Sequence, residues 1–171
     1  ICHPAQKQIL PMMPEAIKAT DGQDKQDCET NAAKRLLPKL RQQHPRMDFI
    51  WVADSLFATA PFINEVLSHN ESFLFRVKQG AHKALFSHIE TAKYESHKTL
   101  QGNSTLAMRW YKNVPLNGSS NLMVSVIKAF VITTDKHGNK TSTVAGVWVT
   151  NLEVNSKTVT EITQAARARW K

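Results

Sequence analysis

The sequence predicts an α/β fold in which alternating helices and strands are followed by an antiparallel β region. Three observations carry this prediction. Residues 47–90 alternate strand-length apolar runs with helical spacing, the pattern of a βαβ unit with a parallel pair. Residues 94–149 hold four segments rich in Thr, Val and aromatics, separated by Gln101-Gly102-Asn103, Asn117-Gly118-Ser119 and Lys136-His137-Gly138-Asn139, which are turn sequences of antiparallel sheets. The length of 171 residues, with 42% hydrophobic and 21% charged side chains, suits one domain whose core needs no disulfide or metal staple.

In chain order, Ile1 to Pro14 mixes β-formers with Pro4, Pro11 and Pro14. It reads as a strand end, a turn at Ala5-Gln6-Lys7 and a second short strand over Gln8–Met12, at a sheet edge because of the prolines. Thr20-Asp21-Gly22-Gln23 is a turn, and Asp24 an N-cap with Asp27 in the first helical turn. Cys28, Ala32, Ala33, Leu36, Leu37 and Leu40 recur at helical spacing. Pro38 is expected to kink or end that helix near Leu37. Met47–Ala53 is nearly all apolar, as in a strand covered on both faces, and it stops at Asp54. A helix from Ala60, with Pro61 in its first turn, turns Phe62, Ile63, Val66 and Leu67 inward. Ser72–Lys78 is the next strand and Ala81–Glu90 a short helix. The β region follows as Tyr94–Lys98, Thr105–Val114, Leu122–Thr133 and Thr143–Val149. From Ser156, the expected N-cap, helical spacing returns through Val159, Ile162, Ala166 and Trp170.

Several classes are disfavoured. No apolar run approaches the ~18 residues of a spanning helix, and there is no initiator Met or basic-then-apolar leader. The expectation is a soluble protein and a piece of a longer one. Cys2 and Cys28 form neither a CxxC pair nor a disulfide framework, which suits a reducing compartment. His82, His88 and His97 are spaced too irregularly for a zinc site, and neither a Gly-rich phosphate loop nor a G-x-S-x-G elbow occurs.

The charge of +8 is segregated. Residues 1–96 carry twelve Lys/Arg against eleven Asp/Glu, whereas residues 97–171 carry ten against three. A basic half points to a polyanionic partner, or else to lysines that keep the surface soluble. Arg109-Trp110-Tyr111-Lys112 and Arg167-Ala168-Arg169-Trp170-Lys171 interleave cations with aromatics, the combination that meets phosphates and stacks on bases. For Trp110 core packing is the competing reading, and for Arg169 a solvated helix face; Trp148 reads as core. Asp54 stands just outside the carboxyl end of the most apolar strand, where open α/β sheets carry their functional groups. A carboxylate there is a hard-cation ligand or a turn cap.

Segments along almost the whole chain together resemble the DDE transposases of bacterial insertion sequences, in the group with a Tyr-Arg-Glu-Lys signature and a β-rich insertion. They are His3-Pro4 with Gln8-Ile9-Leu10-Pro11-Met12-Met13-Pro14-Glu15, Asp21-Gly22 with Lys25 through Ala32, Ala53-Asp54-Ser55-Leu56 with Ala60-Pro61-Phe62-Ile63, Val147 through Asn151, and Arg167 through Lys171. The order and spacing carry the resemblance, not any single segment.

The resemblance implies an RNase H-like mixed sheet flanked by helices. Residues 1–91 form its α/β part, 92–155 an antiparallel β insertion, and 156–171 the start of the last helix. It implies three acids holding two magnesium or manganese ions, with Asp54 the second acid. The first acid would precede Ile1, and the glutamate would fall two residues beyond Lys171. Arg169 fits the signature Arg, while Ala166 stands where the signature has Tyr. The implied activity is metal-dependent DNA cleavage and strand transfer by a parent protein, a homodimer on DNA in the bacterial cytoplasm at the nucleoid, with no membrane association. Asp54 is then catalytic, and Arg169, Arg167, Lys171, Trp110, Arg109 and Lys112 are the DNA-binding candidates. Because one aspartate cannot hold two ions, the chain alone is expected to be inactive. The rivals are a non-catalytic nucleic-acid-binding or assembly module on the same fold, and a structure-specific nuclease.

Overall fold

A computed structural model describes residues 11–168 except positions 19, 21 and 23. The elements run α1 (Lys25–Gln43), β1 (Ile50–Ala53), α2 (Ala60–Ser68), β2 (Ser72–Arg76), α3 (Lys83–Thr91), β3 (Glu95–Gln101), β4 (Ser104–Pro115), β5 (Met123–Thr134), β6 (Lys140–Thr150) and α4 (Val159–Ala168). The strands form one mixed sheet in the order β1-β2-β6-β5-β4-β3. β1 and β2 are parallel, Ile50 beside Ser72 and Ala53 beside Phe75, and every other pairing is antiparallel. The α/β expectation therefore holds at this level. The antiparallel strands continue the β1–β2 sheet through β2–β6, where Phe75 lies opposite Val149.

Strand alternation divides the core between the two faces. Phe73 and Phe75 pack with Phe62, Ile63 and Val66 of α2, Leu85 of α3, and Tyr111, Val126 and Val149. Leu74, between those two phenylalanines, points to the other face and joins Met108, Trp110, Ile127, Trp148 and Ala166 under α4. Leu37 ties α1 to the first cluster. Glu71, only 4% exposed, accepts from Arg41 of α1 and from the Phe49 amide at 3.1 Å, fastening α1 to the start of both parallel strands.

Four local expectations are corrected. Of the kink or end expected at Pro38, the end is corrected, since α1 runs through the proline to Gln43. The proline lies on the exposed side while Leu37 and Leu40 are buried, so water can take the carbonyl the missing N–H leaves and packing holds the helix together. The strand before Asp54 begins only at Ile50, and it is an edge among the described residues, with Met47 and Ile50 43% and 47% exposed. Ser156 is not the cap of α4. The Asn155 carboxamide oxygen accepts from the amides of Lys157 and Thr158, and Thr158 supplies the first carbonyl of the helix, to Ile162. Pro11 and Met12 are not in a strand; the rest of the proposed first strands, Asp21 and Gln23 of the predicted turn, and Trp170 lie outside the described residues.

Candidate functional site

Asp54 follows the last residue of β1 and is half-buried. Its Oδ1 accepts from the Leu56 amide at 3.1 Å, and its carbonyl from the Phe57 amide at 3.3 Å. The strand thus stops in a tight turn closed by its own aspartate. Thr59 and Pro61 then launch α2, the proline at a position where no helical donor is needed. Because β1 and β2 are parallel, their carboxyl ends open on the same side. There a cleft of about 820 Å³ is lined by Asp54 and Ser55 after β1, by Lys78 and His82 after β2, and by Glu29 and Lys34 of α1.

The wall from β2 is held by named bonds. The Val77 amide donates to the Val147 carbonyl at 2.9 Å, and the Lys78 carbonyl accepts from the amides of Ala81 and His82. His82 Nε2 lies 2.9 Å from the Ala58 carbonyl, so the imidazole bridges the β2–α3 turn and the loop that carries Asp54. This places two carboxylates and two ammonium groups around one opening. Glu29, Lys34 and Lys78 were not site candidates in the sequence, and His82 was considered there only as a zinc ligand and set aside. Glu29 and Lys34 are five positions apart in α1, so the helical period does not make them neighbours, and only the tertiary arrangement brings them to the cleft of Asp54.

The donor set bears on the ions implied by the resemblance. Among the described residues no group of three or more His, Cys, Asp or Glu is arranged to hold a metal. Asp54 is one strand-end carboxylate and Glu29 a second acid in the cleft wall, fewer than a two-ion centre needs. The described residues do not make up such a centre.

The other candidates separate. Trp110 is 2% exposed and packed in the core beneath α4, so the expectation that it stacks on a base is corrected. It alternates with Leu106 and Met108, a period-two signal that was present in the sequence. Arg109, its neighbour, points the other way and is exposed, with its guanidinium 4.7 Å from the Tyr94 ring and 5.3 Å from Phe130. Lys112 forms an ion pair with Glu95 at 2.9 Å. Arg167 donates to the Gln101 side chain at 3.2 Å. Arg169 and Lys171 lie outside the described residues. Trp148 is core, as expected.

No protein-family model matches the chain, and no curated protein matches it. Among the described residues no helix is long and apolar enough to cross a membrane.

Proposed function

We propose that this chain is the central part of a DDE transposase catalytic domain with an RNase H-like fold, from a protein that cuts and rejoins DNA. The observation that carries the proposal is the position of Asp54, a carboxylate at the carboxyl end of a parallel strand pair, facing a cleft whose rim carries Lys34 and Lys78. The sequence resemblance names Asp54 as the second of three acids and puts the others outside this chain. Lys34 and Lys78 are suited to hold the phosphates of a DNA strand beside that carboxylate. In the whole protein Asp54 would ligate magnesium or manganese, which activates the attacking oxygen and stabilises the leaving one. Arg169 and Arg167 are the further phosphate contacts in this reading, and DNA ends with a second copy of the protein are the partners.

One observation favours the rival, a non-catalytic nucleic-acid module on the same fold: Asp54 Oδ1 already caps the Leu56 amide. The substitution Asp54→Asn separates the two readings, because the amide oxygen keeps the cap and loses the charge. In the full-length parent, magnesium-dependent DNA cleavage should fall to background in Asp54→Asn while circular dichroism shows the fold retained. Cleavage at the unsubstituted rate would overturn the transposase reading. The present chain alone should not nick DNA.

A further inference from the structure

The second half of the sheet has a face that the described helices cover only at its near margin, where Tyr111 and Val147 are buried. Cross-strand partners share a face, so the register defines its rows. Ser96, Arg109, Lys128 and Val147 form one row, and Lys98, Ala107, Phe130 and Val144 the next. Helix α3 reaches only the near margin, where Phe86, Ile89 and Glu90 wall a groove of about 390 Å³ that Tyr94, Arg109 and Lys128 also line. Tyr94 and Val144, which also line it, are 49% and 51% exposed, and Arg109 and the neighbouring Lys98 are exposed as well.

The composition of this face is specific. The Arg109 guanidinium is held between the Tyr94 and Phe130 rings, and the Lys128 ammonium lies 5.6 Å from the Phe130 ring. Tyr94 in turn leans on Tyr111 with ring centroids 5.8 Å apart. Burial pushes the Tyr111 phenol above its ordinary value. No ion pair among the described residues occupies Lys98, Arg109 or Lys128; Glu90 is the acid that reaches the groove. A guanidinium backed by an aromatic ring is fixed in orientation. It offers donors at its edge, while the half-exposed Tyr94 ring beside it offers surface to a base.

We propose that this face binds a single strand of nucleic acid. Phosphates would meet Lys98, Arg109 and Lys128, and unpaired bases would rest on the Tyr94–Arg109 stack and the apolar surface around Phe130 and Val144. Charge complementarity selects a polyanion, and exposed aromatic and aliphatic groups between the cations select one whose bases are free to stack. A duplex presents phosphates without base faces, and an anionic membrane presents headgroups without either aromatic partner. The site lies apart from the Asp54 cleft and does not rest on the cleavage reading.

The test is fluorescence anisotropy on this chain with an oligothymidylate of about 16 nucleotides, across a salt series in EDTA, so that divalent-ion chemistry plays no part. Single strand should bind more tightly than duplex of equal length. Tyr94→Ala should weaken it roughly ten-fold or more, whereas Tyr94→Phe, which keeps the ring, should bind like the unsubstituted chain. Replacing Lys98, Arg109 and Lys128 together by Ala should lower the slope of log affinity against log salt by about 2, at roughly 0.7 per phosphate contact on a single strand. Lys157→Ala, in the loop before α4, should leave the slope in place. Circular dichroism checks folding, and should the triple variant unfold, the charge reversal at exposed Lys98, Lys98→Glu, is read instead and should weaken binding. An unchanged slope in folded variants, a preference for duplex, absence of oligonucleotide binding, or binding only to phosphatidylserine vesicles would each overturn the proposal.

Discussion

Gly146 shows how a single side chain is set by its neighbour. A Cβ built there would sit 2.5 Å from two ring atoms of Trp148, and that indole is 3% exposed beneath α4. Gly146→Ala lowers the entropy of the unfolded chain, a gain of about 0.4–1 kcal/mol, but the clash is with a fixed ring and overpacking costs about 1–3 kcal/mol. Urea unfolding should show a net loss of stability, and the loss should shrink in a Trp148→Leu background, since the pair is coupled. At Glu15 the cause is charge. Hydrogen bonds from Lys39 and Arg35 hold its carboxyl below the ordinary value of 4.5, and the same Arg35 binds the Ala16 carbonyl at 2.8 Å. A depressed carboxyl stabilises the fold above its unfolded pKa, and the contribution is lost as pH falls through the lowered folded value. Glu15→Gln should therefore remove part of the decline in melting temperature below about pH 4.5, and an acid limb identical in both proteins would exclude this pair as its source.

The elements were legible where period alone decides them. Phe62, Ile63 and Val66 fix the buried side of α2, and Leu106, Met108 and Trp110 fix one face of β4. The last of these was misread as a surface aromatic because its basic neighbours Arg109 and Lys112 drew it into a motif, although alternation places Arg109 on the opposite face. Position at a strand end made Asp54 legible; Lys78 and His82 became part of its cleft only through the parallel pairing of β1 with β2. Lys128 and Phe130 escaped notice because their value lies in register with Arg109 and Ala107, a long-range fact that local sequence does not carry. α1 shows packing overriding a local rule. Proline inside a helix costs about 3 kcal/mol relative to alanine, yet Leu37 and Leu40 on either side of Pro38 are 2% and 6% exposed and hold the helix in place. Pro38→Ala restores a donor to the Lys34 carbonyl and removes no buried contact. It should stabilise the protein by about 1–3 kcal/mol in chemical denaturation, after allowance for the greater freedom of the unfolded chain. No gain would show that the helix bends at this point to satisfy its other contacts.

At the scale of the whole molecule, the question is whether the βαβ half and the antiparallel half behave as one body. Sequence texture separates them near Thr91, but the buried clusters do not. Phe62, Phe73 and Phe75 from the first half share one core with Tyr111, Val126 and Val149 from the second, and Leu74 sits among Met108, Ile127 and Trp148 on the other face. The seam between β2 and β6 is also polar-locked. The Thr150 hydroxyl donates to the Phe73 carbonyl, and the Asn151 side-chain oxygen accepts from the Phe73 amide at 2.9 Å. Separating the halves would expose both cores together and exchange those hydrogen bonds for bonds to water, a net loss of about 0.5–1.5 kcal/mol for each. Unfolding should therefore be a single transition. In a background with Trp51 and Trp170 replaced by Phe, Trp110 and Trp148 report the antiparallel half by fluorescence, while α1 and α2 dominate the helical signal of the other half in circular dichroism. The two urea midpoints should coincide, and Val149→Ala, which thins the shared core, should move both by the same amount. Two separated midpoints, or a Val149→Ala shift confined to the tryptophan signal, would mean that the antiparallel strands fold as an independent unit attached to the sheet edge.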